Sequence, residues 1–113
     1  MPKTSLELMQ GTVAVLILKT LSWGALHGYD ISRSIRRRSD GALGLEDAAL
    51  YQALHRLERK GWIEAEWGLS ENNRRAKFYR LTGEGGQALQ AEVTLWSRYV
   101  DAVAKVLETR PAS

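Results

Sequence analysis

Apolar residues recur along the chain first at helical spacing, then in alternation, then at helical spacing again. In "TVAVLILKTLS", Val13, Leu16, Ile17 and Leu21 share one face of a 3.6-residue period, which predicts a buried helix beginning near Gly11 or Thr12. "WGALHG" interrupts it with two glycines. "YDISRSIRRRS" predicts a second helix, with Ile31 and Ile35 inward and Arg33, Arg36 and Arg37 outward, and "SDGALG" closes it as a turn. A third helix is predicted from Asp47 to Lys60, its back formed by Leu50, Leu54 and Leu57 and its end set by Gly61.

The period then changes to two. Ile63, Ala65 and Trp67 alternate with Glu64 and Glu66, and "KFYRL" sets Tyr79 and Leu81 against Phe78 and Arg80. Two strands joined by "GLSENNRRA" make a hairpin with a cationic tip, in which Asn72 and Asn73 serve the turn. Three of the tryptophans, Trp23, Trp62 and Trp67, are expected in the core. Thr82 is a candidate N-cap for the last element. From there Leu89, Val93, Trp96, Val100, Val103 and Leu107 follow at spacings of 4, 3, 4, 3 and 4, an a/d seam of nearly three heptads. Such a helix would be roughly 40 Å long at ~1.5 Å per residue. Much of it projects past so small a domain, so its seam calls for a partner.

Composition narrows the class. The 113 residues suit one small domain with an appended element, and 44% hydrophobic with 26% charged content is that of a soluble globular chain. There is no cysteine, which removes disulfide frameworks, thiolate zinc sites and thiol nucleophiles together. "MPKTSLELMQG" lacks the apolar run of a secretory signal, and the run from Val13 to Leu18 is stopped by Lys19, far short of a membrane span. A cytoplasmic location away from the membrane is the expectation.

Charge is unevenly spread. Eleven of the sixteen Lys and Arg residues fall between Arg33 and Arg80, whereas the chain after Leu81 is nearly neutral. A basic middle with a neutral tail fits a middle that meets phosphate and a tail that meets protein; a solvated basic surface is the ordinary alternative. Catalysis finds little support, since two isolated histidines and no carboxylate pair at a catalytic spacing leave no nucleophile and base. His27 has no second ligand at metal spacing and is read as a turn residue. "TGEGG" lacks the Gly-Lys-Ser/Thr ending of a phosphate loop and is explained by a helix start. No cofactor and no metal are expected.

Three helices, a tight turn between the second and third, and a hairpin describe a mainly α (α+β) fold, a winged helix-turn-helix followed by a long C-terminal helix. The expected division is residues 1–81 for the DNA-binding domain and 82–113 for the dimerisation helix. In this arrangement the third helix enters the major groove with its back to the core. With the leucine stripe behind, Ala48, Gln52, His55, Arg56 and Arg59 point forward. Arg can pair bidentately with guanine and Gln with adenine. Tyr51, on the flank, is suited to a phosphate that positions rather than specifies. Arg74, Arg75 and Lys77 are the wing's candidate contacts to phosphate or the minor groove. Arg33, Arg36 and Arg37 either flank the backbone or simply keep the helix soluble, and Tyr29 is read as packing.

"HGYDI" at 27–31, "LYQALHRLERKGWIEAEW" at 50–67 and "FYRLT" at 78–82 together resemble the PadR family of bacterial transcriptional regulators, in order and spacing, over residues 6 to 96. The resemblance implies a homodimer that represses a promoter and dimerises through its C-terminal helix. A tail of one helix is similar to the small subgroup of that family. In some of its members a tryptophan on that helix stacks on flat aromatic drugs. This makes Trp96 with Tyr99 a candidate effector-binding pair, with plain seam packing as the more frequent role. The chain departs from the family where the third helix opens. A serine-like cap followed by proline and glycine is usual there, and Glu46, Asp47 and Ala48 stand instead. Two carboxylates suit the positive end of the helix dipole; they would repel phosphate, or accept a hydrogen bond from cytosine if they reach a base. A different class of function for the same fold is a protein-interaction adaptor, which would bind any duplex weakly and without preference.

Overall fold

The computed structural model describes residues 11–111. The amino-terminal stretch considered above for a secretory signal lies, up to residue 10, outside the described residues, as do the last two residues of the 82–113 segment.

Helix α1 (Thr12–Leu21) starts from Gly11 in the left-handed region, φ 93°, with no side-chain cap. Its buried residues are Thr12, Val15, Ile17, Leu18, Thr20 and Leu21. Val13 and Leu16, expected on the buried face, are only partly covered. The difference follows from packing. α1 touches α2, α3, β3 and α4, so it is enclosed on several sides rather than along one stripe.

Leu26–His27 forms a short strand, β1. Helix α2 (Gly28–Arg38) begins at His27, whose Nδ1 accepts a hydrogen bond from the Asp30 N–H at 3.4 Å. Its last turn holds Arg36, Arg37 and Arg38, where cations suit the negative end of the dipole. Beyond it Ser39 Oγ donates to the Ile35 carbonyl and accepts from the Leu43 N–H, while Asp40 and Gly41 take positive φ and turn the chain. Ile31 and Ile35 are buried as expected.

Helix α3 (Asp47–Arg59) buries Leu50, Ala53, Leu54 and Leu57. Gly61, at φ 77°, ends it, and the Trp62 N–H returns to the Leu57 carbonyl at 3.0 Å. Truncating a fully buried leucine such as Leu54 costs about 2–5 kcal/mol.

The hairpin consists of β2 (Ile63–Leu69) and β3 (Arg75–Leu81), paired in antiparallel register with Ile63 opposite Leu81, Ala65 opposite Tyr79 and Trp67 opposite Lys77. β1 adds on the far side of β3, giving the order β1-β3-β2. Two residues are too few to show alternation, which is why this strand left no mark in the sequence pattern. Asn73 takes the left-handed φ of 58° that the turn needs.

Helix α4 (Gly83–Glu108) runs for 26 residues, about 39 Å at ~1.5 Å per residue. Thr82 caps it: its Oγ1 accepts from the Gly85 N–H at 3.0 Å and donates to the Gly61 carbonyl at 2.7 Å. Gly85 lies directly against the Trp62 carbonyl, in space that no Cβ fits. The base of α4 rests on α1 and β3. Further along, its apolar residues are largely exposed, and the molecule measures 62 × 41 × 21 Å.

Two expectations for the tryptophans are corrected. Trp23 is 54% exposed and Trp67 56% exposed. Neither is a core residue; cations cover their rings instead, Arg38 over Trp23 at 4.1 Å and Arg75 over Trp67 at 4.6 Å. Only Trp62 of the three lies against the core.

Candidate nucleic-acid interface

Helix α3 turns its leucine side to the core, which leaves Gln52, His55, Arg56 and Arg59 exposed on the opposite side. Their side chains form no hydrogen bond or ion pair among the described residues. Three are donor-bearing residues without an internal partner, and the fourth, His55, can donate or accept. Ordinarily such side chains find carboxylates on their own helix. Here the helix's own carboxylates lie elsewhere: Asp47 sits in the first turn, and Glu58 is turned to the hairpin, 3.6 Å from Lys77 Nζ. Glu46 is the N-cap residue but makes no capping bond, and it is exposed beside Asp47.

Tyr51 stands on the flank of the helix next to α2. Its hydroxyl and ring edge occupy the space a Cβ on Gly28 would need, at 2.7 and 3.0 Å. Residue 28 is therefore a glycine for reasons of close approach, and Tyr51 is half held and 44% exposed. Packing and surface display coexist in it.

Arg74 lies exposed in the hairpin turn, where its backbone is fixed by a Ser70 N–H to Arg74 carbonyl bond of 2.8 Å. Arg75 opens β3 with its guanidinium carbon 4.6 Å from the centroid of the Trp67 ring. Lys77 is engaged differently. Its ammonium is shared between Glu58 and the Tyr79 ring, 5.6 Å from the centroid, so it ties the hairpin to α3. Burial raises the Tyr79 phenol above its ordinary value, and the Glu58 carboxylate and Tyr51 add to this. Arg80 is held by a 2.7 Å hydrogen bond to Glu64 across the strands, which raises its already high pKa.

On α2, Arg33 pairs with Asp30 at 3.8 Å and lies over Tyr29, whereas Arg36 and Arg37 have no carboxylate partner among the described residues. His27, besides capping α2, has Nε2 3.2 Å from Asp30 Oδ2 and meets the Phe78 ring edge-on.

The seam residues of α4 divide. Leu89 packs against the core of its own chain. Val93, Trp96, Val100, Val103 and Leu107 are exposed, and Leu95, Tyr99 and Val106 beside them widen the apolar surface. Trp96 and Tyr99 are stacked, their centroids 6.1 Å apart and their planes at 27°. They border a cavity of about 410 Å³ with Gly11, Thr12, Val15, Glu92 and Leu95.

Two parts of this surface escaped the sequence pattern. Alternation assigned Trp67 to a buried face, because alternation alone does not say where the sheet outruns the core. The Glu58–Lys77 pair joins residues nineteen apart, and only the hairpin register brings them together.

The fold and this surface define a winged helix-turn-helix protein whose third helix is offered to solvent. The model of the transcriptional regulator PadR-like family matches residues 17–91, and the chain belongs to that family of transcriptional regulators. A transcriptional regulator from Clostridium thermocellum superimposes with a TM-score of 0.78 at 32% identity, over 85% of this chain and 93% of that one. A PadR family transcriptional regulator from Eggerthella lenta gives 0.75 at 32% identity, over 89% and 86%. An uncharacterised protein of Lysinibacillus sphaericus is 28% identical over 102 residues, 90% of this chain and 94% of that protein. Among the described residues no helix is long and apolar enough to cross a membrane.

Proposed function

We propose that the protein is a homodimeric repressor that reads an inverted-repeat operator with α3 and follows the backbone with its hairpin. The observation that carries this reading is the front of α3: Gln52, His55, Arg56 and Arg59 are exposed, with no internal partner among the described residues. Gln52 and Arg59 are the base-reading side chains in this proposal, and Arg56 and His55 flank them. Tyr51, Arg74 and Arg75 take phosphates. Lys77 supports them more than it contacts DNA, since Glu58 already neutralises it.

Residues 1–81 are proposed as the DNA-binding domain and residues 82–113 as the dimerisation helix. The partner for the second copy is the exposed apolar side of α4, from Val93 through Trp96, Val100 and Val103 to Leu107. A surface this apolar on one projecting helix is unusual in a monomer. Two copies joined there would present half-sites about 34–36 Å apart. A small-molecule effector that alters this spacing fits the cavity beside Trp96 and Tyr99, whose stacked rings and the nearby Glu92 suit a planar ligand.

The test is a titration against the promoter of the protein's own transcription unit at several salt concentrations, with excess shuffled duplex as competitor. Retained binding under competition, at a site with two-fold symmetry, is the expected result. Equal affinity for promoter and shuffled duplex would replace repression by the adaptor role.

A further inference from the structure

We propose that Trp67 is a positioning residue for DNA binding: its indole holds the Arg75 guanidinium in the orientation in which the wing offers it to a phosphate. The proposal rests on the reading of the hairpin as a DNA contact. It concerns a residue whose place in the sequence pattern suggested core packing.

The hairpin register sets the geometry. Trp67 is opposite Lys77 and Leu69 opposite Arg75, so these four side chains continue the face on which Ile63, Ala65, Tyr79 and Leu81 enter the core. That face outlasts the core. Tyr79 is 4% exposed, and Trp67, one pair further along, is 56% exposed. The indole at this point supports little of the interior. What it does carry is Arg75, whose guanidinium carbon lies 4.6 Å from the ring centroid.

Among the described residues nothing else holds the Arg75 side chain. It has no carboxylate partner among the described residues, since Glu64 and Glu66 stand on the other face of the sheet and Glu64 is bonded to Arg80. A guanidinium held over a ring keeps the N–H groups directed away from it free, and those are what a phosphate oxygen pair accepts. The stack removes rotamer freedom before DNA arrives, so less is lost on binding. The face also points the right way. Lys77, two residues from Arg75 and on the same side, reaches Glu58 of α3, so Arg75 is displayed on the side of the hairpin that looks toward the reading helix. Tyr79, Lys77, Trp67 and Arg75 alternate aromatic and cation from the core outward. Arg74, in the turn, has no such support.

The experiment is a double-mutant cycle on the full chain, read by fluorescence anisotropy with a labelled random-sequence duplex of about 30 base pairs at several salt concentrations. Trp67→Ala is expected to weaken binding about two- to fivefold. It should leave the salt slope unchanged, because Arg75 still reaches its phosphate. Arg75→Ala is expected to weaken binding and lower the slope by about 0.9. Trp67→Ala added to Arg75→Ala should have no further effect, and added to Arg74→Ala it should retain its full effect. Trp67→Phe should restore most of the affinity.

An equal loss from Trp67→Ala with and without Arg75 would overturn the proposal, because the indole would then act by its own contact or through the fold. A silent Trp67→Ala beside a weakened Arg75→Ala would overturn it too, and would leave the wing as a DNA contact. If Arg75→Ala changed nothing while Arg59→Ala abolished binding, the proposal and the wing contact would fall together and the reading helix would stand.

Discussion

Gln52, near the middle of α3, and Arg59, its last residue, are both exposed, and each is expected to select a base pair rather than merely attract DNA. Changing either to alanine should reduce discrimination at one operator position by ~1–3 kcal/mol while leaving other positions as they were. Competition between single-base operator variants measures this; uniform weakening across all variants would reassign the residue to phosphate. Tyr79 has a different, thermodynamic consequence. Its folded phenol holds the proton above the ordinary value of 10.0, chiefly because it is buried. The unfolded chain thus releases that proton first as pH rises. Stability from this residue is complete below about pH 10 and declines as pH climbs through the raised value. Denaturant titrations at increasing alkaline pH should show the decline, and Tyr79→Phe should make it shallower.

At the scale of elements, the joint between hairpin and last helix depends on Gly85. A methyl group there meets the Trp62 carbonyl, a backbone atom that has no rotamer with which to move aside. Gly85→Ala is expected to cost more than about 2 kcal/mol, read as a lowered denaturation midpoint. Gly83→Ala, with open space around it, serves as the control. Most elements were legible beforehand. The leucines of α3, the cap at Thr82 and the stop at Gly61 are local signals, each written within a few residues. What escaped was non-local. β1 exists only because β3 supplies its hydrogen bonds, and the α1 core face depends on how many neighbours enclose it. The candidate interface follows the same division. The exposed side of α3 follows from its own period, whereas Trp67 with Arg75 and Glu58 with Lys77 required the register.

For the whole molecule, the exposed apolar face of α4 predicts assembly. Val100→Asp places a carboxylate in the middle of that face and is expected to yield a monomer by light scattering, with weaker binding to a two-fold operator. An undiminished dimer would locate the interface elsewhere. The variant should fold as the parent does, because Val100 is 45% exposed in the single chain.

Gly85 also bears on how a signal would travel. The helix backbone sits hard against the Trp62 carbonyl, and the Thr82 hydroxyl is bonded to both sides of the junction, so helix and hairpin are closely joined. If the wing contacts phosphates as proposed, a tilt imposed on the far end of a rod about 39 Å long is expected to reach it as a change of aim.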